Sequence, residues 1–192
     1  MFLMGRYSAI VIGCSSGGLD ALGRILPPLP PGFPLPVIVV MHMPQDGQSL
    51  LPEVLGEHCR MPVAEAADKD RIAPGRIYTA PPGYHLMIEG DETFSLSVDP
   101  KVNMSRPSVD VLFETAADTY GEHLVAIVLS GANRDGSQGI IAVSGAGGLC
   151  VAQQPETAAA SEMPGGAIAT GKINVVLSPD DMAEFLMKEV AA

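Results

Sequence analysis

The stretch from Ala9 to Leu22 constrains the fold more than any other part of the chain. Branched apolar residues at Ile10–Ile12 predict a buried strand, which runs directly into the turn Gly13-Cys-Ser-Ser-Gly-Gly18. Apolar residues then recur at helical spacing, at Leu19, Leu22, Ile25 and Leu26. A strand that passes through a glycine-rich turn into a helix is typical of the first unit of an α/β domain.

The turn itself is compatible with more than one chemistry. Its Gly13-x-Ser15-x-Gly17 pattern has the spacing of a nucleophile elbow, in which glycines permit a tight bend and the serine hydroxyl stands above the sheet edge. The N–H groups that open the next helix could stabilise an oxyanion there. A simple packing turn and a phosphate cradle stay open, although the P-loop and dinucleotide glycine patterns are both absent.

Composition excludes several classes of function. The chain has 192 residues, of which 47% are hydrophobic and 17% charged, and this predicts one α/β domain over 1–192. Its net charge of −11 would repel nucleic acid. No apolar run approaches the ~18 residues of a membrane span, and the first residues do not resemble a signal peptide. We therefore expect a cytoplasmic protein without membrane insertion.

The cysteines and histidines do not predict a metal site. The three cysteines are an odd number, which argues against a disulfide framework, and none has metal-ligand spacing to any of the four histidines. We therefore expect activity that needs no metal or organic cofactor.

The rest of the chain predicts alternating strands and helices. Further strands are expected at 37–41, 62–65, 76–79, 85–89, 93–98, 124–129, 149–152 and 173–177. Helices are expected at 50–58, 109–120, 137–144, 163–170 and 179–190. The proline-rich stretch 27–36 predicts a stiff, extended surface link. Together they predict a doubly wound, mainly parallel, Rossmann-like sheet with helices on both faces and an added antiparallel hairpin at 85–98.

Three loops of this fold carry groups that suit acyl transfer. Ligands of such sheets bind at the carboxyl ends of the strands, where the winding direction reverses, and the first strand is expected at that point. The loops that would converge there are 13–18, 42–44 and 130–136. They supply Ser15 and Ser16, His42, and Asp135, which together could be a nucleophile, a base and a carboxylate that orients the base.

Other interpretations stay open on these residues. Cys14 is a rival nucleophile, although at the second elbow position its side chain should point away from the site. Asp20 and Asp46 are rival carboxylates, and Asp135 could merely cap the helix that follows it. The remaining histidines are expected to be surface or capping residues, and they are His58, His85 and His123.

Four segments recur in one known family. They are Ile12-Gly-Cys-Ser-Ser-Gly-Gly18, His42-Met-Pro44, Arg106-Pro-Ser-Val-Asp-Val-Leu-Phe113, and Ser130-Gly131 with Asp135-Gly136. In this order they resemble the catalytic domain of the bacterial chemotaxis-receptor methylesterases, the protein-glutamate methylesterases of CheB type. The similarity runs through nearly the whole chain, and the combination is specific even though no single segment is.

The resemblance implies a substrate and a set of roles. Members hydrolyse glutamate γ-methyl esters on the cytoplasmic helices of methylated chemoreceptors and often deamidate receptor glutamines. Ser15 would be the nucleophile, His42 the general base and Asp135 its orienting carboxylate. Ser16 and the backbone at Gly17 would lie beside the oxyanion. A chemotaxis kinase or a separate receiver protein would be further partners.

The chain also departs from that family. The usual Met-Gly-Asn before the aspartate is Ala132-Asn133-Arg134 here, so a shorter apolar side chain and a new cation border the site. Arg106 is expected to add positive charge nearby. Typical members begin with a receiver domain, whereas roughly eight residues precede the first strand here, too few for a domain. We therefore expect either another mode of regulation or a piece of a longer protein. The alternative function is a methylesterase-like module that binds receptor or kinase without turnover.

Overall fold

A seven-stranded parallel sheet forms the centre of the computed structural model, which describes residues 6–43 and 49–191. Predictions that involve Pro44 or Asp46 lie outside the described residues. In chain order the strands are β1 Ala9–Cys14, β2 Val37–Met41, β3 Val63–Glu65, β4 Ile77–Thr79, β5 His85–Ile88, β6 Phe94–Ser97, β7 Leu124–Val128, β8 Leu149–Gln153 and β9 Val175–Leu177. Each overlaps a strand that the sequence predicts.

Helices connect most of these strands. They are α1 Gly18–Ile25, α2 Leu51–Gly56, α3 Val109–Tyr120, α4 Ser137–Gly145, α5 Glu162–Ala169 and α6 Pro179–Phe185, the last continued by a π-helical turn at Leu186–Val190. No helix within residues 6–43 and 49–191 is both long enough and apolar enough to cross a membrane.

The strand order is β3-β4-β2-β1-β7-β8-β9, so β1 lies between β2 and β7. All neighbouring pairs of this sheet are parallel, and Cys14 pairs with Met41 while Gly13 pairs with Val128. Strands β5 and β6 form a separate antiparallel pair with Ile88 opposite Phe94. The predicted doubly wound sheet with an added hairpin is confirmed.

Apolar side chains of β1 point alternately to two cores. Ile10 and Ile12 pack on one face with α1, α2 and α6, whereas Ala9 and Val11 pack on the other with α3, α4 and α5. Burial on both faces explains why β1 and β7 are continuous apolar runs in the sequence.

The hairpin lies against α3. The Ile88 N–H donates to Thr115 Oγ1 at 3.2 Å, and Phe94 meets Tyr78 edge to face with 4.9 Å between ring centroids. These contacts fix the position of the segment that connects the hairpin to α3. The N-terminus of α3 lies at the carboxyl edge of the parallel sheet.

One expectation about the apolar residues was wrong. The stretch 27–36 is a series of turns and not an extended surface link, and its Leu29, Phe33 and Leu35 are buried in the core beside α1. Burying each of these side chains stabilises the fold by about 1.5–3 kcal/mol, which an extended surface path would forgo. Leu19 is 41% exposed, because α1 turns Ala21 and Leu22 toward the sheet instead.

Candidate active site

The turn after β1 is a tight bend that only glycine can complete. Gly17 has a φ of 77°, a left-handed conformation that favours glycine. A Cβ at Gly17 would lie 2.6 Å from Ala159 Cβ and 2.7 Å from Ser130 Oγ. Ser15 precedes this bend and is partly exposed at the carboxyl end of β1.

Backbone hydrogen bonds join this turn to the loops after both neighbouring strands. The Ser15 N–H donates to the Ser130 carbonyl oxygen at 2.9 Å. On the other side, the His42 N–H donates to the Cys14 carbonyl oxygen at 3.0 Å. The loops that follow β1, β2 and β7 therefore meet at one edge of the sheet.

The Ser130 hydroxyl clamps the outer part of the turn. It donates to the Ser16 carbonyl oxygen at 2.6 Å and accepts the Ala160 N–H at 3.0 Å. Neither the Ser16 N–H nor the Gly17 N–H is hydrogen-bonded to a described residue. Since both lie next to Ser15 at the start of α1, they are available to an anion at that position.

His42 and Asp135 form a direct pair. His42 Nε2 lies 2.8 Å from Asp135 Oδ2, and the two side chains are 10% and 0% exposed. The Ser15 hydroxyl makes no hydrogen bond to any residue in the described part of the chain. The structure thus joins two of the three predicted catalytic residues and places the third on an adjoining loop.

The Asp135 carboxylate is bound at the N-terminus of α3. Its Oδ2 accepts the Val109 N–H at 2.7 Å. Its Oδ1 accepts the Ser108 hydroxyl at 2.9 Å, the Asn103 amide at 2.8 Å and the Asp110 N–H at 3.1 Å. Asp135 therefore caps α3 and not only the helix that follows it in sequence.

These donors decide the charge of Asp135. Burial acts to raise its pKa, but hydrogen bonds from His42, from the Val109 N–H and from Asn103 outweigh burial and hold the pKa below its usual value. An ionised carboxylate can only accept hydrogen bonds. The proton that lies between His42 Nε2 and Asp135 Oδ2 therefore belongs to the histidine.

Two glycines allow α3 to approach this closely. A Cβ on Gly13 would lie 2.2 Å from Val109 Cγ1, and a Cβ on Gly136 would lie 2.9 Å from the same atom. Gly136 also has a φ of 97°. Val109 fills the space that these glycines leave, which brings the first N–H groups of α3 onto Asp135.

A second buried carboxylate, Asp110, lies beside the first and is 4% exposed. It accepts the Gly139 N–H of α4 at 2.7 Å and the Asn103 amide at 2.7 Å. Burial and repulsion from Asp135 raise the pKa of Asp110 despite these hydrogen bonds. The N-terminus of α3 thus binds Asp135 from the loop before α4, and α4 in turn binds Asp110 of α3.

Asn133 contacts the opposite side of the histidine ring. Its Nδ2 lies 3.2 Å from His42 Nδ1, while its Oδ1 accepts the Asp135 N–H at 3.0 Å. His42 therefore has a carboxylate at one ring nitrogen and an amide donor at the other.

A pocket of about 200 Å³ opens beside His42. Its other lining residues are Met43, Lys101, Met104, Ser105, Arg106 and Pro107. Arg106 Nη1 donates to the carbonyl oxygens of Val98 and Asp99 at 2.7 and 3.0 Å, so this side chain also holds the segment after the hairpin.

The remaining predicted site residues lie on the loop after β7. Ala132 and Arg134 are exposed, and a Cβ on Gly166 of α5 would lie 3.3 Å from Arg134 Cγ. The aliphatic part of the Arg134 side chain therefore runs along α5. Arg134 precedes Asp135 in the sequence, but it is exposed to solvent.

The structure disfavours the rivals that it describes. Cys14 is fully buried, and burial raises the pKa of its thiol to about 12, so a thiolate nucleophile is disfavoured. Asp20 is exposed on α1 and lies 3.8 Å from Arg24.

The other histidines were expected to be surface or capping residues, and the structure divides them between these two positions. His85 is 2% exposed, so it is a buried residue and not a surface one. Its Nδ1 accepts the Ser108 N–H at 3.3 Å, which adds to the support of the α3 N-terminus. His58 and His123 are exposed, as expected.

Sequence reasoning missed several residues that support the site. Ser108 and Asp110 belong to the Arg-Pro-Ser-Val-Asp segment that resembles the family, but the sequence did not indicate what these side chains bind. Asn133 stood out only as a departure from the family pattern. Asn103 had no signal, because it reaches Asp135 across 32 residues of sequence.

Comparisons with known proteins identify the family. The family model described as CheB methylesterase matches residues 10–186. A relative from Leptospira interrogans is 44% identical over 183 residues, which cover 95% of each chain. The protein-glutamate methylesterase/protein-glutamine glutaminase of Chromohalobacter salexigens is 35% identical over 99% of this chain, and the chain spans 54% of its length.

A solved structure agrees with these sequence matches. The crystal structure of the Thermotoga maritima CheB methylesterase catalytic domain superposes with a TM-score of 0.92 and 34% identity. The match covers 95% of this chain and 98% of that one, so it extends over nearly the whole fold. The chain belongs to the CheB methylesterase family.

Proposed function

We propose that this chain is a serine hydrolase that removes methyl groups from glutamate γ-methyl esters of chemotaxis receptors. The observation that carries the proposal is the His42 Nε2–Asp135 Oδ2 contact of 2.8 Å at the sheet edge that also bears the Ser15 turn. Family membership and the names of the relatives supply the substrate class.

The first half-reaction forms an acyl-enzyme. Ser15 Oγ attacks the ester carbonyl carbon while its proton passes to His42 Nδ1, the ring nitrogen that faces away from Asp135. The negative charge that develops on the carbonyl oxygen is met by the N–H groups of Ser16 and Gly17. The carbon–methoxy bond then breaks, and the proton on Nδ1 moves to the leaving oxygen to give methanol.

The second half-reaction restores the enzyme. A water molecule attacks the Ser15 ester, gives its proton to His42 Nδ1, and the bond from carbon to Oγ breaks as that proton returns to serine. The product is a free glutamate carboxylate. With a glutamine substrate the same steps release ammonia in place of methanol, which is the deamidation that the relatives' names include.

The partner of this site is the cytoplasmic helical region of a methylated receptor, so the chain acts in the cytoplasm. Lys101 and Arg106 line the pocket beside His42, and Arg134 lies on the adjacent loop, so positive charge is local in a chain of net charge −11. A chemotaxis kinase or a separate receiver protein would regulate access to the site.

Methanol release from methylated receptor tests this function. Ser15→Ala should lower the rate by a factor of about 10³ or more, as loss of a serine nucleophile does in other triads. The matched control is Ser8→Ala, an exposed serine before the amino end of β1. Unchanged release by Ser15→Ala would refute the proposal, and loss in Cys14→Ala alone would move the role to the cysteine.

One observation favours a second function, a module that binds receptor or kinase without turnover. The Asn133 amide lies 3.2 Å from His42 Nδ1, where the proton of Ser15 would have to go. Such a module would bind methylated receptor and release no methanol. Any methanol release that depends on Ser15 excludes it.

A further inference from the structure

We propose that Asn133 is a positioning residue that sets which nitrogen of His42 accepts the proton and how strongly that nitrogen holds it. The inference deepens the proposed function and rests on it, because it concerns the base of that same reaction. The amide of Asn133 lies against His42 Nδ1.

The orientation of the Asn133 amide follows from its other contact. The Asp135 N–H can only donate, and it lies 3.0 Å from Asn133 Oδ1, so the amide oxygen must face it. The NH₂ end therefore points to His42 Nδ1, 3.2 Å away. A donor at that position requires a lone pair on Nδ1.

Only one neutral form of His42 satisfies both sides of the ring. With the proton on Nε2, the ring donates to Asp135 Oδ2 and accepts from Asn133. With the proton on Nδ1, two donors would face each other at Asn133, and the buried Asp135 carboxylate would lose one of its donors. The lone pair is thus held on Nδ1, and the Asn133 hydrogen bond to it must break when that nitrogen takes the serine proton.

The same contact is lost when Nδ1 is protonated. A proton on Nδ1 would face the Asn133 NH₂ group, so two donors would meet and the amide would have to move away. The other charged groups near the ring are Lys101 and Arg106 in the adjoining pocket, Arg134 on the loop and Asp110 behind Asp135. Removal of the Asn133 amide therefore removes one obstacle to a proton on Nδ1.

Nitrogen NMR of the wild-type protein tests the first half of the inference without any need for activity. Histidine is labelled with ¹⁵N, the long-range proton–nitrogen spectrum is recorded at neutral pH, and His42 is assigned by its loss in His42→Gln. We expect a protonated Nε2 and an unprotonated Nδ1. A proton on Nδ1 would overturn the inference.

The pH dependence of kcat/KM tests the second half. In Asn133→Ala the midpoint of the acidic limb should rise by about 0.5–1 pH unit, the shift that corresponds to one neutral hydrogen bond. Asn133→Asp should raise the midpoint further. The new carboxylate can still accept the Asp135 N–H, and it can also accept a hydrogen bond from Nδ1 when that nitrogen carries a proton. An unshifted or lowered midpoint in Asn133→Ala would overturn the inference.

Arg134→Gln is the matched control for charge on the same loop. Its midpoint should also rise, but that shift should shrink with added salt, because an exposed charge is screened. The shift in Asn133→Ala should persist in salt, and its disappearance would overturn the inference. A wild-type protein without turnover would refute the proposed function, while the NMR result would still decide the state of His42.

Discussion

The candidate site has two halves that are built in different ways. Asp135 is fully buried and bound by side-chain and backbone donors from α3 and from the chain before it. The serine half is an open turn in which Ser16 and Gly17 are exposed, and it is held by backbone contacts and by the Ser130 hydroxyl.

The difference follows from what each half has to do. The carboxylate that orients the histidine must be fixed in position and shielded from water. A buried carboxylate is tolerated only when its oxygen atoms accept hydrogen bonds. The half that meets a protein substrate must instead stay accessible, and its shape comes from the glycine conformation at Gly17. The buried polar contacts of the site are therefore concentrated at Asp135, whereas the serine turn depends on the left-handed conformation of Gly17.

The largest effect is expected from Asp135→Asn. Either orientation of the new amide places an NH₂ group against backbone donors, at Val109 on one side or at Asp110 on the other. We expect a loss of about 3–5 kcal/mol in the free energy of unfolding, as for breaking other buried charge contacts. We also expect kcat to fall by about 10⁴, because an amide NH₂ group against Nε2 would favour the wrong tautomer of His42.

Urea unfolding and ester hydrolysis measure the two effects. Asp20→Asn, on the exposed face of α1, is the control and should leave both unchanged. An Asp135→Asn protein as stable as wild type would show that the buried half is not held by its carboxylate.

A smaller effect of opposite pH dependence is expected at Asp110. Its pKa is raised, so its contribution to stability is present below the unfolded pKa of about 3.9 and is lost as the pH rises through the folded value. The pKa of Asp135 is lowered, so its contribution is present above about 3.9 and is lost as the pH falls through the folded value.

Asp110→Asn should therefore cost about 1–2 kcal/mol at neutral pH, where the hydrogen bond from Asn103 is lost. That cost should grow as the pH falls toward 4, whereas the cost of Asp135→Asn should shrink below pH 4. Urea unfolding of both variants across this range measures the trends. Parallel trends would mean that the two buried carboxylates do not differ as described.

The smallest effect is expected from salt on the serine half. The chain is strongly acidic, so long-range attraction to an acidic receptor helix should be weak, and kcat/KM should change by no more than roughly twofold with added salt. Arg134→Gln should lower kcat/KM slightly, and only at low salt. A steep fall of the wild-type association rate with salt would contradict this expectation.

The two halves also differ in how well the sequence predicts them. Gly13-x-Ser15-x-Gly17 lies within one strand, turn and helix, so local spacing was enough to place Ser15 at the edge of the sheet. The alternation of predicted strands and helices likewise predicted a mainly parallel sheet with helices on both faces. Asn103 could not be predicted, because its φ of 50° and its contacts exist only once the hairpin has packed on α3.

The burial of His85 and of the stretch 27–36 was missed for a related reason. A histidine after a turn carries no local sign that its ring will accept the backbone N–H of a residue 23 positions away. The prolines of 27–36 predict stiffness, but whether Leu29 and Phe33 between them find a core depends on where α1 places them.

Labelling with a fluorophosphonate tests whether Ser15 is the activated nucleophile, because the probe reacts only with a serine activated by its neighbours. We expect one adduct per chain, on Ser15, in wild-type protein and a strong loss of labelling in His42→Gln. Labelling of Ser16 in place of Ser15, or folded wild-type protein that takes up no probe, would contradict it.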